Sequence, residues 1–189
     1  MTTLSLNNYY NNIIVYDLII KLNIQNIHKI PKIKKINLNI NFDKNKKKKE
    51  ILNILLFFNL LTNQIPCFIK SKKNLVIVKV KKNSIIGFKM ILYRKNIYIF
   101  LEKILFFILP NIKKKKNYFL KNNNNFNFKI VNLLNFSEFK NELLKFKEIF
   151  NISLFVSINT DNCKYNLDLY TLLNFLFFSN IKFNNAKIT

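Results

Sequence analysis

Glycine, alanine and arginine each occur once in this chain, as Gly87, Ala186 and Arg94, and tryptophan is absent. A single glycine excludes a glycine-rich loop that could hold phosphate against backbone N–H groups. It also removes the usual residue for left-handed turns, so another residue must take those positions. His28 is the sole histidine, and no Ser or Cys stands at a spacing that would pair with it for nucleophilic chemistry. The acidic residues number 9 and are scattered, which leaves a metal cluster without ligands. Of these, Glu138, Glu142 and Glu148 fall with Lys140, Lys145 and Lys147 on one solvated helix face. The expectation is a protein that is not an enzyme and needs no metal or cofactor.

Long apolar runs are also missing. The best windows, 51–61 (ILNILLFFNLL) and 104–109 (ILFFIL), fall short of the roughly 20 apolar residues that cross a bilayer, so no membrane insertion is expected. Residues 1–16 carry no charge and the first basic residue is Lys21, a pattern of neither an Arg-rich transit peptide nor a secretory signal. Cys67 and Cys163 form no metal or redox spacing and read as core residues of a chain kept in a reducing compartment.

What is present is lysine, asparagine, isoleucine, leucine, phenylalanine and tyrosine, the residues of A/T-rich codons. This predicts synthesis inside an A/T-rich organelle, a mitochondrion first and a plastid-type organelle second. Codon bias accounts for some of the lysine but not equally for the shortage of Asp and Glu. With 32 basic residues the formal charge is +23, and such a chain repels itself unless a polyanion surrounds it. Nucleic acid and an anionic membrane surface are the two natural partners. Lysine meets phosphate as a flexible point charge, so an RNA partner would be read by shape and backbone more than by sequence.

Half of the 189 residues are apolar, which supports one compact domain. Periodicity predicts a helix over 9–22, an extended entry at Pro31, and a half-buried strand over 33–41 whose alternation slips once at Lys34–Lys35. A helix apolar nearly all round follows at 50–62, then strands at 66–70, 75–81 and 86–93, and a helix at 96–109 that stops before Pro110. The basic and Asn-rich stretch from Lys113 to Asn125 reads as a loop that RNA could order. A strand at 127–134, a helix at 137–149, a strand at 152–159 and a helix at 164–177, capped by Asn159-Thr160-Asp161, complete the chain. Strands and helices interleave without regular Gly-marked turns, which predicts an α+β fold: a mainly antiparallel sheet backed by helices in a single domain. The expected division is an N-terminal extension (1–9), the domain (10–178) and a C-terminal tail (179–189).

Asn26, Pro31-Lys32, Lys35-Ile36 and Asn39 resemble, in kind and spacing, the opening strand of the universal large-subunit ribosomal protein five family. Residues 62–110 are similar to it without a gap. Thr62-Asn63-Gln64-Ile65-Pro66 resembles a Thr-Gly-Gln-Lys-Pro turn, and Lys70 with Lys72–Lys73 resembles the basic loop. Ile86-Gly87-Phe88-Lys89 matches the entry to the next strand, and Tyr98, Phe100-Leu101 and Leu109-Pro110 match a Tyr-x-Phe-Leu helix with its closing Leu-Pro. Residues 130–138 and the closing helix with Leu172-Leu173 and Phe177-Phe178 are similar more loosely. Asn41, Asn63 and Asn83 stand where the family has Gly, and Asn is the residue that next best tolerates a left-handed backbone. Tyr93 stands at an arginine position with Arg94 one place later, and Lys113–Lys116 replace Arg-Gly features.

The resemblance implies a structural constituent of the large ribosomal subunit, placed in the central protuberance. Its implied partners are large-subunit rRNA, 5S rRNA where the organelle has one, P-site tRNA, and neighbouring ribosomal proteins including those of the small-subunit head. The implied rRNA contacts near the first strand are Lys32, Lys34 and Lys35, and the implied tRNA-facing loop carries Lys72, Lys73, Lys79, Lys81 and Lys82. Lys70, Lys89, Arg94, Lys113, Lys114, Lys115 and Lys116 complete the candidate RNA-binding set. The alternative is a basic peripheral membrane-associated organelle protein, which would set its lysines along one face of an amphipathic helix. Here they fall mostly on strands and loops.

Overall fold

The computed structural model describes residues 6–41, 48–74, 80–108, 119–122, 125–131, 133, 136 and 153–162. The fold is α+β, as expected. Strands β1 (Lys32–Asn41), β2 (Cys67–Lys70), β3 (Ile85–Leu92), β4 (Phe119–Asn122), β5 (Asn125–Ile130) and β6 (Leu154–Asp161) form one sheet in the order β2-β3-β1-β6-β5-β4. The β2–β3 and β4–β5 ladders are antiparallel. The contacts gather into two units, Met1–Ile36 with Tyr93–Phe128 and Ser157–Thr189, and Asn37–Leu92 with Lys129–Val156.

The first unit opens with α1 (Leu6–Tyr9), a π turn at Tyr10–Ile14 and α2 (Val15–Leu22). The helix thus begins inside the stretch assigned to an N-terminal extension. Its buried residues Leu6, Tyr10, Ile14 and Leu18 recur every fourth position. In a pure α-helix such a stripe would rotate about 40° per step, because a turn holds only 3.6 residues. The wider π turn, closed by Val15 N–H on Tyr10 O, takes that drift back. Leu6 N–H donates to a Glu102 carboxylate oxygen, and the Tyr10 hydroxyl donates to Pro31 O at 2.9 Å. Tyr10 also lies 5.6 Å from the Tyr98 ring on α4 (Lys95–Lys103), which continues as a π turn over Ile104–Ile108. Burial pushes the Tyr98 phenol up to about 12.

Turn chemistry follows the missing glycines. Asn23 ends α2 at φ 49°, and Asn162 follows β6 at φ 61°. The Asn162 amide donates to His28 O at 2.7 Å and Ile30 O at 3.2 Å, which ties down the entry to β1. Asn159-Thr160-Asp161, expected as helix caps, instead lie within β6. Alternating burial of Leu154, Val156, Ile158 and Thr160 holds them there.

In the second unit, α3 (Lys48–Thr62) packs Ile54, Phe57, Phe58 and Leu61 inward. Phe57 and Phe58 meet edge to face, and Phe58 meets Phe88 of β3 the same way at 6.1 Å. Its apolar residues all round predict a buried helix, but Leu52, Leu56 and Leu60 are exposed. A composition dominated by Leu, Ile and Phe masks the amphipathic stripe. Asn63 caps the helix at φ 54°, its N–H on Asn59 O at 2.7 Å. Asn41, by contrast, ends β1 without a left-handed backbone.

Cys67 is exposed on β2, an edge strand, which corrects its assignment to the core. Asn122 and Asn125 were expected in a loop but belong to strands, with Asn122 opposite Asn125 where β4 meets β5. The expected strand at 127–134 is β5, ending at Ile130. Most of 75–81, together with the helices at 137–149 and 164–177 and Cys163, falls outside the described residues.

Candidate nucleic-acid interface

β1 shows how the chain turns lysines outward. Ile33, Ile36, Leu38 and Ile40 are buried, so the inward phase shifts by one residue between Ile33 and Ile36. This is the slip anticipated at Lys34–Lys35, and it has the phase of a β-bulge. Lys34 and Lys35 therefore both point away from the core, and Lys32 is exposed beside them. Asp161 of β6 pairs with Lys34 at 3.3 Å, a contact that sequence spacing did not signal. The Lys34 side chain remains 59% exposed, so the pair is a weak surface interaction that a phosphate can displace.

Arg94, in the same unit, is exposed and has φ 50° and ψ −127°. Asn96 N–H meets Tyr93 O at 3.2 Å, so Arg94 is the second residue of a type II′ turn, a place that favours Gly. Arg94→Gly should raise stability by about 1 kcal/mol, read as a higher urea midpoint at unchanged slope. An unchanged midpoint would mean that the turn relaxes without strain.

In the second unit Lys70 of β2 and Lys89 of β3 are exposed, with Lys89 opposite Cys67 in the ladder. From Lys70 the chain enters the basic loop through Ser71, which is buried. The Ser71 hydroxyl donates to Lys81 O at 2.5 Å, and the Ser84 hydroxyl donates to the same oxygen at 2.7 Å. Ser71 N–H meets Ser84 O, Asn83 N–H meets Ser71 O, and Lys82 N–H meets the Asn74 side chain. Asn83 takes φ 65° as the third residue of the turn from Lys81 to Ser84, the position a type II turn reserves for Gly or Asn. The loop is thus clamped at its base while Lys72, Lys73, Lys81 and Lys82 are exposed. The two serines were missed because an isolated Ser in a lysine-rich stretch announces no partner ten residues away.

Lys129 is a further exposed cation the sequence reading passed over; its ammonium lies 5.4 Å from the ring of Phe155. Asn39 and Asn127 each hold a buried side-chain oxygen without a hydrogen-bond partner among the described residues. Lys79, Lys113, Lys114, Lys115 and Lys116 lie outside the described residues. Among the described residues no cluster of His, Cys, Asp or Glu could hold a metal ion, and no helix is long and apolar enough to cross a membrane.

The described candidate cations lie on strands, at a clamped loop and in the turn at Arg94 of an α+β fold, and Lys34 alone among them has an acidic partner. No family model matches the chain. The large ribosomal subunit protein uL5m of Reclinomonas americana is 33% identical over 155 residues, covering 80% of this chain and 85% of that protein. The large ribosomal subunit protein uL5c of Cyanidium caldarium is 30% identical over 141 residues, covering 72% and 78%. The large ribosomal subunit protein uL5 of Malacoplasma penetrans (strain HF-2) is 28% identical over 156 residues, covering 80% and 83%. The chain belongs to the uL5 family of large ribosomal subunit proteins. Members of this family are structural proteins of the ribosome and not enzymes, and the non-catalytic expectation rests on that membership.

Proposed function

We propose that this protein is a structural constituent of a mitochondrial large ribosomal subunit that binds rRNA through the lysines of β1, β2, β3 and the clamped loop. The observation that carries the reading is the balance of charge: of the described candidate cations, only Lys34 has an acidic partner. Lys32, Lys34 and Lys35 contact rRNA beside the first strand, with Lys70, Lys89 and Arg94 as further phosphate contacts. Lys113–Lys116 add to the same electrostatic footprint. The protein sits in the central protuberance, against 5S rRNA where one exists and against proteins of the small-subunit head. Its loop, with Lys72, Lys73, Lys79, Lys81 and Lys82, faces P-site tRNA. The expected domain, residues 10–178, supplies all of these contacts. A base clamped by hydrogen bonds around the buried Ser71, beneath exposed lysines, suits a finger that keeps its aim toward a mobile ligand.

Two measurements test this. The protein should co-sediment with the large subunit and leave it in high salt; retention in membranes after ribosomes are stripped would overturn the ribosomal reading. Replacing Lys72, Lys73, Lys79 and Lys81 by Ala should leave subunit assembly intact and speed P-site tRNA release about tenfold, the effect of losing roughly 1.4 kcal/mol of phosphate contacts. Failed assembly would place these lysines in the rRNA interface instead.

A further inference from the structure

The helix formed by α1, the π turn and α2 carries no net charge. Its charged residues are Asp17 and Lys21, which cancel, in a protein of net charge +23. Its inner stripe is buried, yet on the other side Ile13 is 43%, Tyr16 62% and Ile20 78% exposed. Tyr16 and Ile20 are four residues apart and share a helix face. Single exposed apolar residues are ordinary, whereas these three lie on a helix without net charge and offer an apolar surface that a partner can cover.

We infer that this stripe is the docking face for another ribosomal protein that presents an uncharged aliphatic surface. The inference rests on the ribosomal reading. Charge selects the occupant. RNA needs cations, and the one lysine of this helix is offset by an aspartate. An anionic membrane surface is bound by helices with a lysine- or arginine-rich polar face, whereas the exposed polar residues of this helix and its cap are Asn8, Asn11, Asn12, Asn23 and a single lysine, Lys21. A second copy of this chain would bring +23 against +23. An apolar, uncharged protein surface alone gains by covering Ile13, Tyr16 and Ile20 without leaving a buried charge unpaired.

The test uses the full chain with Tyr16→p-benzoylphenylalanine, exchanged into large subunits depleted of the protein by high salt. Sedimentation first reports whether the chain is incorporated. Illumination should then give an adduct with one ribosomal protein, identified by mass spectrometry. Ile20→Glu in the same chain should reduce that adduct at least tenfold while incorporation stays the same. Incorporation with adducts only to rRNA, to a second copy, or to nothing would overturn the docking inference and leave the ribosomal reading standing. Failure to incorporate would overturn the ribosomal reading, and the inference with it.

Discussion

Gly87→Ala is expected to lower stability by about 3 kcal/mol. A Cβ built at Gly87 falls 2.3 Å from Ile40 O and 3.3 Å from the Asn41 Cα. Both neighbours are backbone of β1, so neither can swing aside as a flexible side chain would. Relief requires β1 and β3 to separate, which disturbs the packing of Phe88 against Phe58 one residue away. Gly87 does not have a positive φ. Its requirement is for space, which asparagine cannot meet. Asn63 and Asn83, at φ 54° and 65°, fill glycine-type conformations that asparagine does tolerate. Asn63→Gly and Asn83→Gly should therefore change stability by less than about 1 kcal/mol. Urea unfolding of the three variants separates the two kinds of requirement. A Gly87→Ala protein within about 0.5 kcal/mol of the parent would mean that β1 and β3 are free to part at no cost.

Affinity for the cognate rRNA fragment is expected to fall about a thousandfold between 50 and 200 mM salt. That follows from roughly six phosphates neutralised by lysine, each adding close to one unit to the slope of log affinity against log salt. Lys32, Lys35, Lys70 and Lys89 are exposed or half-buried and lack an acidic partner among the described residues. Changing Lys70 or Lys89 to Ala should reduce the slope by about one. Lys34→Ala should reduce it by less, since Asp161 already offsets part of that charge. Asp161→Ala should tighten binding. Filter binding across a salt series measures all four variants, with polyphosphate of matched charge as the control ligand. Equal affinity for polyphosphate would remove shape recognition from the mechanism and leave bulk charge alone. A slope unmoved by Lys70→Ala and Lys89→Ala would take β2 and β3 out of the interface.

Much of this was legible in the sequence because it depends on neighbours along the chain. The outward turn of Lys34 and Lys35 could be read from the slip in alternation, since a strand's faces have a period of two. The left-handed turns at Asn63 and Asn83 could be read because the demand for positive φ is local. The lack of a glycine-rich loop and of a spaced Ser or Cys beside His28 raised the non-catalytic expectation, which membership of the uL5 family carries. The charge of +23 set the class of ligand.

Tertiary structure decided what depends on residues distant in the chain. In α3, Phe57 and Phe58 face inward and Leu52, Leu56 and Leu60 outward, a choice hydropathy could not make among residues of equal hydrophobicity. Cys67 is exposed because its strand is at an edge, which is a property of the sheet order and not of the residue. Asp161 meets Lys34 across 127 positions, and Ser71 meets Lys81 across a loop. Gly87 shows the division most clearly: the sequence marked it as the sole glycine, while only the approach of the β1 backbone gave the reason, a volume that no side chain can share.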